Sequence, residues 1–387
     1  MTHTIYPHPG TPDPGPGFAV ESSLPPPPPP PPTPPSRLRR TLGLLGRLAF
    51  VAGGIALSFQ IDRGIFVALI FLFVVVVPFE KMYPRQKGQT VRRPLVGTDM
   101  SFALMNPVLS IAGLVAAVII GGLSLFWLPG IALRPLVGQI PAAALPFVAF
   151  FMFDFVAYWT HRWAHEVPFM WRFHAVHHSP EHMDWVSGFR AHPFDGVLIA
   201  PGFFFLLGAG IDAELAGIFA VFQIILGIFF HANVRVRWRL LDRVAANPEF
   251  HHWHHANEAD SIGHNYGAAL PWWDLAFGTF FMPKHKSRRR PRNYGIDEHM
   301  PRTLVGQLTH PCRGARKHLK LWRHPIIAVK TAFRGARTLV RDMVRSARRP
   351  TRSIRRETVP GSFSTNGSLF DGNGPGAQPQ AAEVMTA

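Results

Sequence analysis

The sequence predicts an all-α, multi-pass membrane helical bundle, with four to six membrane helices and a cytoplasmic histidine-rich helical cap. Three observations lead there. Of 387 residues, 47% are hydrophobic and only 16% charged, against roughly 25% charged in an ordinary soluble domain. Uncharged apolar runs recur, the longest from Phe102 to Leu128, which exceeds the roughly 20 residues a helix needs to cross a bilayer. Finally, 13 of the 20 histidines fall between His161 and His264, at the ends of apolar runs and not inside them.

The elements follow in order. Residues 1–36 form a low-complexity arm in which Pro25 to Pro35 is all proline except Thr33; such a run favours polyproline II and builds no core. It lacks the charged start and apolar stretch of a secretory signal. Residues 37–140 hold the N-terminal membrane helices. Leu48–Ile61 and Gly64–Phe79 form a hairpin around Asp62 and Arg63, and Phe102–Leu128 is expected to span. A catalytic region, 141–295, opens with a second span, Ile140–Thr160, interrupted only by Asp154. Gly196–Ile211 and Leu215–Phe230 make a short pair around Asp212 and Glu214, which either spans thinly or dips in and returns. Residues 296–358 are a basic amphipathic tail, and 359–387 are rich in small and polar residues and read as disordered.

Charge is unevenly spread. The net +17 is concentrated between Lys284 and Glu357, where 22 basic and 4 acidic residues sum to +18. A uniformly basic nucleic-acid binder is thereby excluded, and no nucleic-acid partner is expected. The single cysteine, Cys312, excludes a disulfide framework and a thiolate metal cluster. Arg37, Arg39, Arg40 and Arg47 precede the first hairpin, and Lys81, Arg85, Lys87, Arg92 and Arg93 follow it. The positive-inside rule then places both termini and the histidine cluster in the cytoplasm. Within the tail, Val329, Phe333, Ala336, Val340, Met343 and Ala347 recur at spacings of four and three, with arginines off the stripe. That pattern fits a helix lying on an anionic membrane surface, or equally one packed on the cytoplasmic domain.

The histidines carry the chemistry. His161 and His165 are four apart, directly after an apolar run, so on a continuing helix they share a face; Pro168 marks its end. His174, His177 and His178 take positions one, four and five, and His251, His254 and His255 repeat that spacing. His192 and His231 stand between. His252 faces away from its neighbours and is not expected to be a ligand. One metal ion needs three to five protein ligands, and neutral imidazole suits iron, zinc, copper and nickel. The clusters therefore suffice for two ions with positions left open, and iron is the ion that activates oxygen. A lone histidine at a membrane interface is more often a polar anchor; the repeated spacing on one membrane face overrides that reading.

These residues resemble the fatty acid hydroxylase superfamily, which includes sterol desaturases and alkylglycerol monooxygenases. The resemblance runs from about Asp154 to Gly295, through Tyr158-Trp-Thr-His161, His174…His177-His178-Ser179, Phe189-Arg-Ala-His192-Pro193, His231-Ala-Asn233, Asn247-Pro-Glu-Phe-His251…His254-His255, Asn265-Tyr-Gly267, Trp273-Asp274 and Tyr294-Gly295. It implies that His161, His165, His174, His177, His178, His192, His231, His251, His254 and His255 ligate two iron ions. It also implies dioxygen as co-substrate, a lipid substrate drawn from the bilayer, and electrons from a separate carrier protein and reductase. No glycine-rich dinucleotide fingerprint or fused haem domain appears. Behind the ligands, Asp154 is expected either to accept a proton from a ligand imidazole, to pair with Arg162, or to make a buried structural hydrogen bond. His264 and Asn265 are placed beside it, with Asn265 and Tyr266 at the site mouth or in a tight turn at Gly267. Asp274 is expected to anchor a turn.

The function expected is hydroxylation or desaturation of a lipid C–H bond. Lyase or aldehyde-forming chemistry on the same scaffold is an alternative, as is a non-catalytic metal-binding membrane protein. Transport is disfavoured because the mid-span residues are almost wholly apolar.

Overall fold

The computed structural model describes residues 37–235, 241–283, 290–313 and 325–348; the proline-rich arm and the polar end of the chain lie outside them. Met1–Gly46 and Arg47–Ala387 form separate units, the first described only as the opening turns of α1. The described residues form thirteen α-helices and no strands, with two isolated bridges, Pro84 to Val234 and Ala256 to Tyr294.

Helices α1 (Arg37–Ile61) and α2 (Arg63–Met82) follow one another around Asp62. Its carboxylate accepts from the Gly64 N–H at 2.8 Å, satisfying one of the amides left free at the start of α2. The run from Phe102 to Leu128 is not one span. It divides into α3 (Val96–Leu104) and α4 (Asn106–Leu123) at Met105. Pro107 is the cause: it has no N–H to continue a helix through Met105, but is well suited to the first turn of a new one. Phe102, Ala103 and Met105 are buried in a core with Val176, Trp185 and Ala232, while α4 leaves Leu114, Val118 and Ile119 exposed.

After α5 (Trp127–Val137), α6 (Leu145–Glu166) runs past its apolar portion and carries His161 and His165 in its last turns. Val167 is extended, and Pro168 opens α7 (Pro168–His178). Helices α8 (Ala200–Gly208) and α9 (Ala213–His231) make the short pair. At nine residues α8 is about 14 Å long, half the hydrocarbon thickness. It lies backbone to backbone on α5, since a Cβ on Gly130 would meet the Phe205 carbonyl and one on Gly208 the Trp127 carbonyl. Phe153, Val156, Phe205, Leu206 and Ala216 form the core between α6, α8 and α9. The remaining helices are α10 (Pro248–His254), α11 (Trp272–Phe277), α12 (Leu304–Thr309) and α13 (Pro325–Arg348).

Three described helical stretches are long and apolar enough to cross a membrane: Thr41–Ile61, Asn106–Leu123 and Ala213–His231. The α6 segment is different, because Phe153, Asp154, Val156, Ala157 and Tyr158 are buried by neighbouring protein. Two of the basic residues that follow the first hairpin do not face headgroups. Arg85 is buried against Glu249, and Arg93 against Asp184 and Asp99.

Candidate metal centre

Four helices and one short turn bring nine histidines to one place. His161 and His165 come from α6, His174, His177 and His178 from α7, His231 from the last position of α9, and His251, His254 and His255 from α10 and its cap. They form two groups, His161, His165, His174, His178 and His254 in one, His177, His231, His251 and His255 in the other. Within each, the ligand atoms lie within 4.8 Å of one another.

The repeated spacing explains the division. On α7 the residues four apart, His174 and His178, enter the five-histidine group, while His177 enters the other. On α10 the roles reverse: His251 and His255 join the four-histidine group and His254 the five-histidine one. The wall between the groups is a pair of stacked imidazoles, His178 and His255, with centroids 4.0 Å apart and planes at 13°.

Backbone carbonyls and one carboxylate fix the ring orientations. His161 Nδ1 donates to the Tyr266 carbonyl (2.8 Å), His254 Nδ1 to that of His264 (2.9 Å), and His231 Nδ1 to that of Gly227 (2.6 Å). His177 Nδ1 donates to the Arg190 carbonyl (3.2 Å), and His174 Nδ1 lies 3.3 Å from Asp195 Oδ1. An acceptor on Nδ1 puts the proton there and turns the Nε2 lone pair inward, the tautomer a metal requires.

The inward nitrogens fit cations. His165 Nε2 stands 3.1 Å from Nε2 of both His254 and His174, and His231 Nε2 stands 3.4 Å from that of His251. His165 Nε2 carries one proton at most, so it cannot donate a full hydrogen bond to both neighbours, whereas a cation would satisfy all three lone pairs. His178 Nε2 and both nitrogens of His255 are buried with no hydrogen-bond partner among the described residues, a costly arrangement unless a metal takes the lone pair. Burial holds the His254 imidazole down to about 3, and burial and neighbouring rings push His177, His178, His251 and His255 well below the ordinary range. Neutral, soft-to-borderline nitrogen donors in two adjoining sets suit two divalent transition-metal ions.

The structure does not bring His192 to either group. Its Nδ1 accepts from the Phe194 N–H at 3.1 Å, capping a 3-10 turn, and its Nε2 donates to the Leu308 carbonyl at 3.1 Å. Both nitrogens are used, which leaves no lone pair for a metal. His252 also stands apart, bonded to Tyr294 and to the carbonyls of His231 and Ala232.

Asp154 touches neither a ligand imidazole nor Arg162. Its carboxylate accepts from the N–H groups of Ala269 and Leu270 and from Trp273 Nε1, while Arg162 pairs with Glu166 at 2.9 Å. Asp274 anchors the neighbouring turn by accepting from the Tyr266 and Gly267 N–H groups and the Thr279 hydroxyl. The two carboxylates therefore hold the loop whose Tyr266 carbonyl orients His161. Asn265 does not line a mouth. It is fully buried at φ 61°, with its amide bonded to the Phe250 and Phe281 backbones. His264 acts through its carbonyl, its own Nδ1 donating to the Ile262 carbonyl.

Sequence reasoning missed Asp195, three residues beyond His192. It also missed Trp171, whose ring lies 5.4 Å from that of His165; Tyr266, expected at the site mouth, is instead buried with its ring 5.2 Å from the same imidazole. These two rings form one wall of the five-histidine group. The orienting carbonyls leave no mark in a sequence, since every residue has one.

The fold and the site together define a helical membrane protein with two adjoining imidazole cages. Residues 146–279 match the fatty acid hydroxylase family. The chain is 30% identical to the ornithine lipid hydroxylase OlsE of Rhizobium tropici over 264 residues, which cover 65% of this chain and 75% of that protein. It is 28% identical to the alkylglycerol monooxygenase of Homo sapiens over 185 residues, 48% of this chain and 37% of that one. With the alkylglycerol monooxygenase of Xenopus tropicalis it shares 30% identity over 133 residues, 34% of this chain and 30% of that one. The chain belongs to the fatty acid hydroxylase family. No solved structure matches it.

Proposed function

We propose that this protein is an oxygen-dependent membrane oxidoreductase that hydroxylates a C–H bond of a lipid, with one iron ion in each histidine group. The observation that carries the reading is the convergence of nine inward-facing imidazoles, five and four, in two adjoining buried sets. Bound there, iron would supply from dioxygen the oxidising power that an unactivated C–H bond demands. The relatives are named as a lipid hydroxylase and as monooxygenases, which favours oxygen insertion over desaturation. The overall reaction joins a C–H bond, dioxygen, two electrons and two protons to give an alcohol and water, with the electrons coming from a separate carrier and reductase.

The chain's own residues hold and shield the site. The Nδ1 acceptors fix five rings in one tautomer, and burial keeps His177, His178, His251, His254 and His255 neutral. Trp171 and Tyr266 wall one side. The apolar helices bring the lipid chain up to the group carried at the end of α6, with its polar end at the surface.

The chain is read as multi-pass, with its termini and histidines on the cytoplasmic face. The tail contributes a second membrane contact. On α13, Leu339, Asp342, Met343 and Ser346 turn toward the protein, and Ser346 is bonded to Glu166 of α6. The opposite face exposes Val340 and Val344 among Arg337, Arg341, Arg345 and Arg348, a composition suited to anionic headgroups.

Metal analysis of detergent-purified protein supplied with iron, followed by lipid mass spectrometry of expressing membranes with and without oxygen, tests the proposal. Iron in both groups and an oxygen-dependent gain of one oxygen atom in a membrane lipid is the expected result. Well-folded protein that binds no metal overturns it.

A further inference from the structure

We propose that a buried ion network of Arg93, Asp99, Asp184 and Arg190 is a positioning device for the four-histidine group, clamping the Ser187–Arg190 turn against His177 and His231. The inference rests on the metal reading of the histidines.

The network is buried. Arg93 takes Asp184 bidentately, Nε to Oδ2 at 2.5 Å and an Nη to Oδ1 at 2.6 Å. Its other Nη reaches Asp99 Oδ2 at 2.7 Å, and Arg190 Nε donates to Asp99 Oδ1 at 2.5 Å. Asp99 is 0% exposed, Arg190 1% and Arg93 5%. Two cations and two anions balance, so their cost of burial is met only while all four stay in place. Two stretches distant in sequence are thereby joined: α3 with the loop that leads into it, and the segment following α7.

The network grips the turn at both ends. Asp184 Oδ1 accepts from the Ser187 N–H at 3.0 Å, and the Ser187 hydroxyl accepts from the Asp184 N–H at 3.1 Å. Arg190 is held by Asp99 and donates to the Ser179 hydroxyl, at the end of α7, at 3.2 Å. Between these ends, the turn touches two of the four histidines. The Arg190 carbonyl accepts from His177 Nδ1. Gly188 lies so close to α9 that a Cβ there would stand 3.1 Å from Ile228 Cα and 3.3 Å from the His231 ring. The rings of the five-histidine group are oriented instead by Tyr266, His264 and Asp195. A disturbance of the network is thus directed at one group.

Two variants test this, Arg190→Lys, which keeps the charge but loses the forked donor, and Gly188→Ala, which leaves every charge intact and presses on His231. Each is purified in detergent with iron, its folding checked by thermal melting, and its metal measured before and during challenge with a chelator. The wild type is expected to hold a metal in each group. Either variant, folded, is expected to lose the four-histidine metal, at once or at least tenfold faster under chelator, and to retain the other. Folded variants that keep both metals with unchanged release, or that lose both together, overturn the inference. A folded wild type without metal overturns the proposed function instead.

Discussion

His251 and His254 stand three residues apart on α10, yet they enter different groups: His254 Nε2 lies 3.1 Å from that of His165, and His251 Nε2 lies 3.4 Å from that of His231. Neighbours in sequence are therefore separable by metal content. Replacing His254 with Ala should empty the five-histidine group first, and replacing His251 with Ala the four-histidine group. Metal per chain for each single variant and for the pair checks this. The double variant should lose what the two singles lose, added together.

His192 gives the contrasting case. With both nitrogens committed to Phe194 and Leu308, His192→Ala should leave the metal content unchanged. It should lower stability by about 1–2 kcal/mol, the loss of a cap and a buried hydrogen bond. Metal analysis beside a melting curve separates the two effects, and loss of metal without loss of stability would return His192 to the ligands.

Acid should destabilise the metal-free protein. The His254 imidazole titrates at about 3 when folded, against 6.5 unfolded, so between those values the unfolded chain holds the extra proton. The stability is fully present above pH 6.5 and drains as pH falls toward 3, by about 2 kcal/mol at pH 5 for one such ring. His177, His178, His251 and His255 shift in the same direction. Asp274, raised to about 6 by burial, Glu80, raised to about 7, and Glu249, also raised, oppose them: their contributions grow as pH falls below those values toward 4. The histidines outnumber these carboxylates, so Tm should fall from pH 7.5 to 5. A flat profile would mean that the rings are solvated.

Gly267 tolerates no side chain. A Cβ there would lie 2.6 Å from Asp274 Oδ2 and 2.8 Å from the Leu270 carbonyl. Gly267→Ala should therefore dislodge the loop that presents the Tyr266 carbonyl to His161, costing about 2–4 kcal/mol through a buried carboxylate pushed off its donors. Thermal melting reads the loss, and a variant as stable as the wild type would show that the loop yields freely.

The exposed arginines of α13 report on lipid. Trypsin should cut after Arg337, Arg341 and Arg345 in neutral nanodiscs and be slowed several-fold in discs containing phosphatidylglycerol, with the protection lost at high salt. Equal cleavage in both lipids would remove the membrane role of this helix.

The helical class, the break between helices at Asp62, the continuation of α6 through His165 and the stop before Pro168 were all legible, because apolar runs, caps and proline act locally. The grouping of the histidines was not. Their spacing marks helical faces, but which face meets which partner depends on how α7 and α10 cross α6 and α9. The break at Met105 was masked by an unbroken apolar composition, although Pro107 was its signal. Arg93 read as one more basic residue of a cytoplasmic loop, since nothing local distinguishes an arginine facing headgroups from one neutralised by an aspartate some ninety residues away in sequence.

The alternation of His177 with His178, and of His254 with His255, ties the separation of the two cages to peptide bonds and not to packing. Each of two helices is a ruler with one mark on either cage, and a helix rises only about 1.5 Å per residue. Breathing of the bundle can tilt the rulers, but it cannot pull the cages apart without unwinding both. Inserting a single residue before His254 would rotate the ring that follows by about a hundred degrees and spoil both cages at once, so the sequence at these two places can drift in chemistry far more easily than in length.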